Sequence, residues 1–300
     1  MPSASRVTIS AVAVCLLATP VSVRTASAQA PPVGAPAAAV EPRHESEQNL
    51  ISLPTVQPLR RFAHHVRITH RFARDLTLGD FGQLASDLFG LDNGSLIGLD
   101  YRFAPLSNLQ VGIYGTTHFR TIQVSGRFDA IAEGARLPMA LSFVASIEGT
   151  NNLRDGHAPR VGVVAARTFG RAVAAYVTPM FVWNTAGAHQ AAGVDHGDHD
   201  HDHGVDATVF DDGERHTAFI GLGTRLRLRP ATFAVLEFSP RLAGHSPPGR
   251  GVWGVAIEKE TRGHLFQINV TNAFGTTYGQ TALGGERSNI YLGFNLARKW

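Results

Sequence analysis

The chain closes with Ile290-Tyr-Leu-Gly-Phe-Asn-Leu-Ala-Arg-Lys-Trp300, where large apolar side chains alternate with small or polar ones. Apolar residues at every second position indicate a β-strand, because successive side chains of a strand point to opposite faces. The apolar row holds Ile290, Leu292, Phe294 and Leu296 and continues through Arg298 to Trp300, and the other row holds Tyr291, Gly293, Asn295, Ala297 and Lys299. The segment therefore predicts a strand with one apolar face.

This closing strand resembles the C-terminal strand signal of bacterial outer-membrane proteins, in which a terminal aromatic residue follows an alternating pattern. Trp300 is the aromatic residue here. Arg298 departs from the signal, because an apolar residue is usual at its position. An arginine that close to the membrane interface costs only about 0–1 kcal/mol. The resemblance implies a β-barrel in the outer membrane.

Arginines determine the register of a second strand, Ala218–Arg229, in which Ile220, Leu222, Leu226 and Leu228 alternate with glycines and arginines. Facing even two of its arginines to the middle of a bilayer would cost roughly 4–8 kcal/mol, so they must face the interior. The same alternation places two arginines of segment 62–72 on the interior face. The residues predicted to line the lumen are Arg225, Arg227, Arg229, Arg67, Arg71 and Arg102.

Strand patterns of this kind recur along the chain and are separated by turn residues, which is typical of an all-β fold. We expect a single antiparallel transmembrane β-barrel of about 12 strands, an even number as in bacterial single-chain barrels. The predicted strands are residues 62–72, 95–103, 109–117, 120–128, 139–148, 160–168, 172–183, 218–229, 232–241, 251–260, 264–272 and 290–300.

The connections between these strands alternate in length, as expected when one barrel end carries turns and the other carries loops. Short ones follow the even-numbered strands, for example Pro230-Ala231, and longer ones follow the odd-numbered strands, for example 184–214. Two connections depart from this rule: 117–119 is short and 129–138 is rather long. With a periplasmic N-terminus, the longer loops would lie outside the cell.

Composition excludes several classes of protein. The chain is 44% hydrophobic and 17% charged, which is too apolar for a disordered protein. After the N-terminal region, no run of about 18 apolar residues indicates a transmembrane helix. The 27 basic residues exceed the 24 acidic ones only slightly, so we expect no nucleic-acid partner.

The N-terminal region reads as an export signal, with a basic residue at Arg6, a short apolar stretch and a small-residue cleavage site at Ala26-Ser-Ala28. Residues 29–50 are rich in Ala and Pro and predict a flexible leader, and 51–300 would form the barrel. We therefore expect cleavage of 1–28, the barrel-assembly machinery and outer-membrane lipid as partners, and a location in the bacterial outer membrane. The single cysteine, Cys15, lies within the signal.

Several short motifs resemble a family of uncharacterised bacterial outer-membrane β-barrel proteins, a domain of unknown function. They are Ile51-Ser-Leu-Pro-Thr-Val, His70-Arg-Phe, Asp87-Leu-Phe-Gly-Leu-Asp-Asn-Gly94, Gly170 after Arg167-Thr-Phe, and Val182-Trp-Asn-Thr185. The resemblance covers most of residues 50–300. It implies a barrel fold and no known activity.

A His/Asp-rich run at 195–203 is the clearest candidate for a ligand site. Imidazole and carboxylate groups in a loop suit a divalent transition metal such as Zn²⁺, Cu²⁺ or Ni²⁺. The alternative is a solvated loop of low complexity that binds metal incidentally. The candidate ligands are His196, His199, His201 and His203.

The interior arginines allow two interpretations. They could line a lumen that favours anions, or they could pair with interior acids such as Asp100, Glu148, Glu237 and Glu258. Loop 73–94, with apolar residues grouped at 84–89, is either a partial plug of the barrel mouth or an ordinary capping loop.

The sequence contains no Gly-x-Ser-x-Gly, His-Glu-x-x-His or phosphate-binding motif, so we expect no catalytic residues and no enzyme. A membrane-embedded hydrolase remains an alternative. The first hypothesis is a pore-type or structural barrel that passes small, unidentified solutes and needs no cofactor. The other hypotheses are a surface metal-binding protein that uses loop 195–203 and a soluble secreted β-domain.

Overall fold

The computed structural model describes residues 47–92, 94–185, 216–244, 251–285 and 288–300. Strands dominate these residues, and each strand pairs antiparallel with its neighbours. The strands are β1 (His64–Phe72), β2 (Ser95–Leu106), β3 (Leu109–Thr116), β4 (Thr121–Ile131), β5 (Ala140–Gly149), β6 (Asp155–Phe169), β7 (Val173–Val182), β8 (Thr217–Arg229), β9 (Thr232–Ser239), β10 (Arg241–Gly244), β11 (Val252–Glu260), β12 (His264–Thr271) and β13 (Tyr291–Lys299).

The sheet closes on itself as an up-and-down barrel. Strand β1 pairs with β13, with Ile68 opposite Leu296, so that the first and last strands meet. Strand β8 pairs with both β9 and β10, which are separated only by Pro240. Proline has no N–H to donate to a ladder, so Pro240 interrupts the hydrogen-bond pattern. Because β9 and β10 both pair with β8, they are two parts of one long strand. The described barrel therefore has twelve strands, and β10 continues the ninth.

The predicted fold is confirmed. Each of the twelve predicted segments contains one barrel strand, and most boundaries agree within about two residues. The largest difference is in β6, which begins at Asp155 although its predicted start is residue 160. Alternation is a local property of a strand, so it identifies strands without knowledge of their partners.

The outer face of the barrel is apolar and its inner face is polar. Outward aliphatic side chains are widely exposed, for example 55% at Leu99 and 65% at Ile268. The inward neighbours of these residues, Asp100 and Gln267, are buried. A polar interior with an apolar exterior is the arrangement of a barrel that faces lipid.

The two barrel ends differ. The end that we call the turn end carries the connections 107–108, 170–172, 230–231 and 261–263, together with the longer connection 132–139. The opposite end, the loop end, carries 73–94, 117–120, 150–154, 183–216, the connection after β10 and 272–290. Trp300 lies at the turn end, where its backbone pairs with that of His64.

Helices are short in the described residues: α1 (Phe81–Ser86), α2 (Thr150–Leu153) and α3 (Tyr278–Leu283). None of these described helices is long and apolar enough to cross a membrane. Asp80 caps α1 and Thr277 caps α3, each in a capping box completed by a glutamine three residues later. Helix α1 buries none of its residues, whereas α3 buries Tyr278 to Ala282.

Candidate functional site

The barrel lumen is occupied by the residues that precede β1. Residues 47–57, which we call the plug hairpin, double back on themselves: Asn49 bridges to Pro54, and Leu50 N donates to Leu53 O at 2.8 Å. Leu50 and Leu53 are almost completely buried. The expected boundary between a flexible leader and the barrel, at residue 50, falls inside this hairpin.

Glu237 on β9 binds the tip of the plug hairpin. Its Oε1 accepts hydrogen bonds from the N–H groups of Ile51 at 2.7 Å and Leu53 at 2.9 Å. The N–H of Ser52 lies 3.0 Å from both carboxylate oxygens. Three successive N–H groups that converge on one carboxylate form an anion-binding nest, and the bonds are charge-assisted. The carboxylate therefore accepts hydrogen bonds from N–H groups that a turn inside a barrel would otherwise leave without an acceptor.

The carbonyl groups of the plug hairpin are bound by other wall side chains. Arg67 Nη2 donates to Ile51 O at 2.6 Å, and Gln267 Nε2 donates to Leu50 O at 3.0 Å. Arg127 Nη1 donates to Thr55 O at 2.7 Å, and its Nη2 donates to the carbonyl of Gln57. The wall thus satisfies backbone groups of both polarities, as a buried irregular segment requires.

Glycines of the wall make room for the apolar side chains of the plug. A Cβ at Gly221 would lie 2.5 Å from Leu53 Cδ2, and a Cβ at Gly254 would lie 2.9 Å from Ile51 Cδ1. A Cβ at Gly223 would collide with Leu50 Cδ1. Only glycine therefore leaves these recesses open for Leu50, Ile51 and Leu53.

Glu47 begins the hairpin and is buried against the wall. Its Oε1 lies 3.0 Å from His65 Nε2 on β1. Burial alone would raise the pKa of Glu47, but His65 and, at longer range, Arg67 and Arg225 outweigh burial and hold that pKa at about 2, below its ordinary value of 4.5. The Glu47 carboxylate is therefore more stable docked than free.

A second segment fills the lumen from the loop end. Residues 272–285, which we call the cap loop, contain α3. Glu148 on β5 accepts hydrogen bonds from Thr277 Oγ1 at 2.9 Å and from Gly279 N at 2.8 Å. Arg71 on β1 donates to Ala273 O at 2.6 Å. The wall again uses a carboxylate for N–H groups and an arginine for carbonyl groups.

Tyr278 of α3 joins the cap loop to the plug hairpin. Its hydroxyl donates to Asn49 Oδ1 at 3.2 Å, and the guanidinium carbon of Arg160 lies 3.3 Å from the centre of its ring. Two cavities in the lumen, both lined by Arg102 and Tyr278, have volumes of about 20 Å³ each. Such a volume holds one or two water molecules. These two cavities therefore admit no larger solute.

The six arginines expected in the lumen have different surroundings. Arg67, Arg71, Arg102 and Arg225 are buried inside the barrel. Arg227 is half-buried near the turn end, 5.5 Å from the centre of the Phe233 ring, and Arg229 is exposed at that end. Four of the six thus reach the packed interior.

Buried acids pair with some of these arginines. Arg102 contacts Asp100 at 2.8 Å, and Arg225 forms an ion pair with Glu258. Arg67 and Arg71 instead donate to carbonyl groups of the plug hairpin and cap loop, and no carboxylate in the described part of the chain lies within 4 Å of either guanidinium. Part of the arginine set is therefore ion-paired, and part is bound to carbonyl groups of the plug hairpin and the cap loop.

The expected metal ligands His196, His199, His201 and His203 lie outside the described residues. Within the described ranges, no group of three or more His, Cys, Asp or Glu side chains is placed to hold a metal ion. Loop 73–94 was one candidate for a plug, but its apolar side chains are exposed, 75% at Phe81 and 56% at Leu88. The plug hairpin and the cap loop fill the lumen instead.

The sequence patterns missed both of these segments, together with Arg127, Arg160 and Tyr278. One usable signal was present: Leu50, Ile51 and Leu53 form an apolar group between a proline-rich region and the first strand. A second was the pair Gly221 and Gly223 on the inward face of β8, where small residues leave space for another segment. No local pattern connects these two signals, since the contacts span more than 160 residues.

The sequence model of one family, described as "Membrane bound beta barrel domain (DUF5777)", matches residues 46–300. No curated protein matches the chain. Solved structures with a similar fold include the outer membrane protein Omp33 of Acinetobacter baumannii, with 8% identity, coverage of 80% of this chain and 98% of that chain, and a TM-score of 0.44. A triple mutant of the Rhodopseudomonas blastica porin has 12% identity, coverage of 72% and 58%, and a TM-score of 0.34. The chain spans just over half the length of such porins.

Proposed function

Because this chain belongs to the DUF5777 family of membrane-bound β-barrel domains, we propose that it is an outer-membrane pore held closed by its own plug hairpin. It passes small solutes when the plug leaves the lumen, and this role involves no catalysis. A soluble secreted β-domain is not retained, because the family is membrane-bound.

The binding of the plug hairpin by Glu237 is the observation that carries this proposal. A structural barrel of eight strands fills its interior with wall side chains alone, whereas barrels of 16–18 strands enclose aqueous channels. At twelve strands, this wall leaves enough space for an eleven-residue segment. Its contacts with that segment are hydrogen bonds, the Glu47–His65 contact and glycine recesses, so the segment can detach without unfolding a strand.

The outer membrane is the proposed location, reached after cleavage of residues 1–28 and insertion by the barrel-assembly machinery. The apolar exterior supports a lipid environment. In this orientation the turn end faces the periplasm and the loop end faces outward. Heat-modifiable gel migration in an outer-membrane fraction tests the location: a shift on boiling is expected, whereas a periplasmic protein without a shift contradicts it.

Conductance tests the closed pore. The full chain reconstituted in a planar bilayer should conduct rarely, and a variant that lacks residues 47–57 should show long-lived steps of current. A Leu50→Asp, Leu53→Asp variant keeps every wall residue and should open too, because its new charges cannot enter the glycine recesses without large desolvation costs. If both variants retain heat-modifiable migration but do not conduct, the barrel is structural and the proposal is wrong.

A second proposal concerns loop 195–203, whose His/Asp sequence suits a divalent transition metal. We propose that His196, His199, His201 and His203 capture Zn²⁺, Cu²⁺ or Ni²⁺ on the outer surface. Calorimetry with each metal should show binding that disappears when the four histidines are changed to Ala. Unchanged binding in that variant contradicts the site.

A further inference from the structure

The wall of the lumen recognises the plug hairpin mainly through its main chain. Three N–H groups of the hairpin bind one carboxylate, that of Glu237. Four of its carbonyl groups, those of Leu50, Ile51, Thr55 and Gln57, accept hydrogen bonds from wall side chains. These groups are present in every peptide, so this part of the recognition does not depend on the plug's side chains.

The wall also recognises a few apolar side chains of the plug hairpin. Gly221, Gly223 and Gly254 form recesses that take Leu53, Leu50 and Ile51. The remaining side-chain contacts are fewer: Asn49 Oδ1 accepts from Arg102 Nη2 at 3.1 Å, and Glu47 lies against His65. A ligand for this wall therefore needs a tight turn with a free row of N–H groups and two or three aliphatic side chains beside it.

From these contacts we infer that the lumen wall around Glu237 and Arg67 is a binding site for short, turn-forming oligopeptides with aliphatic side chains, and that the plug hairpin is its tethered ligand. This inference rests on the proposed function, because a free peptide reaches the site only after the plug has left. Oligopeptides are then the class of solute that the open barrel binds.

The electrostatics of the site agree with a peptide ligand. Glu237 accepts from N–H groups of the hairpin tip, Arg67 donates to its Ile51 carbonyl, and neither has an ion-pair partner within 4 Å among the described residues. A wall that offers a carboxylate and a guanidinium, neither of them in an ion pair within 4 Å among the described residues, suits a neutral ligand that offers donors and acceptors together. The amide group is such a ligand, and a simple anion would satisfy only the arginine.

The test uses the barrel that lacks residues 47–57, recorded in a planar bilayer. The probe is a synthetic peptide with the sequence of residues 47–57, acetylated and amidated, added on the side of the turn end. We expect reversible block of the current that increases with peptide concentration. A second peptide that keeps Leu50, Leu53 and Pro54 and has alanine elsewhere should block within about tenfold of the first, because the main-chain contacts remain.

Two controls identify the site. A scrambled peptide of the same composition should block at least tenfold more weakly, and Glu237→Gln in the wall should weaken block by the native peptide at least tenfold. Equal block by native and scrambled peptides, or no effect of Glu237→Gln, overturns the inference. An open channel that no peptide blocks overturns it as well and leaves the proposed pore intact. A deletion variant that never conducts contradicts the pore itself, so the two failures are distinguishable.

Discussion

The hydroxyl of Tyr278 donates a hydrogen bond to Oδ1 of Asn49, and through this bond the two segments that fill the lumen hold each other. Tyr278 belongs to the cap loop between β12 and β13, and Asn49 belongs to the plug hairpin that precedes β1. We therefore expect the docking of the cap loop to be coupled to the docking of the plug hairpin.

Tyr278→Phe tests this coupling. The substitution removes the hydroxyl but keeps the ring over which Arg160 lies. A hydrogen bond of this type contributes about 1 kcal/mol, so the open probability of the full-length barrel should rise about fivefold. Single-channel recording gives the open probability. In the Asn49→Ala background, the same substitution should have a much smaller effect, and equal effects in both backgrounds would show that the two segments act independently.

Gly223→Val tests the fit of the plug against the wall. Its side chain would occupy the space of Leu50 Cδ1, and overpacking of this kind costs about 1–3 kcal/mol, which lowers the docking equilibrium constant of the plug about 5- to 150-fold. Conductance of the full chain should rise accordingly. Gly115→Val is the matched control, because a Cβ there meets no atom within 4 Å. A closed Gly223→Val barrel would contradict the docked position of Leu50.

Acidification should open the barrel through Glu47. The pKa of Glu47 is about 2 when the hairpin is docked beside His65 and takes the ordinary value of 4.5 when the hairpin is free. The Glu47 carboxylate therefore binds a proton more tightly in the released hairpin. The ionised Glu47 carboxylate therefore stabilises the docked hairpin above pH 4.5, and this stabilisation is lost as the pH falls towards 2. Conductance measured across this window should increase. The Glu47→Gln variant should already conduct more at neutral pH, and its conductance should not rise further between pH 4.5 and 2 through this group. If the variant and the unchanged protein have identical pH profiles, Glu47 is not the source of the rise.

Arginine substitutions at two depths along one outward face test whether that face contacts lipid. Ile268→Arg, at the most exposed outward position of β12, should reduce the free energy of unfolding by about 2–4 kcal/mol in lipid vesicles. His264→Arg lies on the same face of the same strand, at the turn end, and should cost only about 0–1 kcal/mol. Urea unfolding followed by tryptophan fluorescence measures both. Equal costs would mean that this face does not contact the middle of a bilayer.

Sequence reasoning predicted the strands far better than the lumen. The arginines of segment 218–229 determine which face of β8 turns inward, because a one-residue shift would put them in lipid. The same reasoning separates Arg67 and Arg71 from Ile68 on β1. It does not reveal what an inward arginine binds: Arg225 pairs with Glu258, whereas Arg67 binds the carbonyl of Ile51.

The sequence by itself determined that this chain forms a closed barrel of twelve antiparallel strands with a polar interior, because the period of two and the cost of charge in lipid act on each strand separately. Only the tertiary structure decided that the plug hairpin and the cap loop occupy the interior. Glu237 meets Ile51 across 186 residues of chain, and Glu148 meets Gly279 across 131. Such contacts depend on how twelve strands curve around one axis, and no local pattern of residues specifies that geometry.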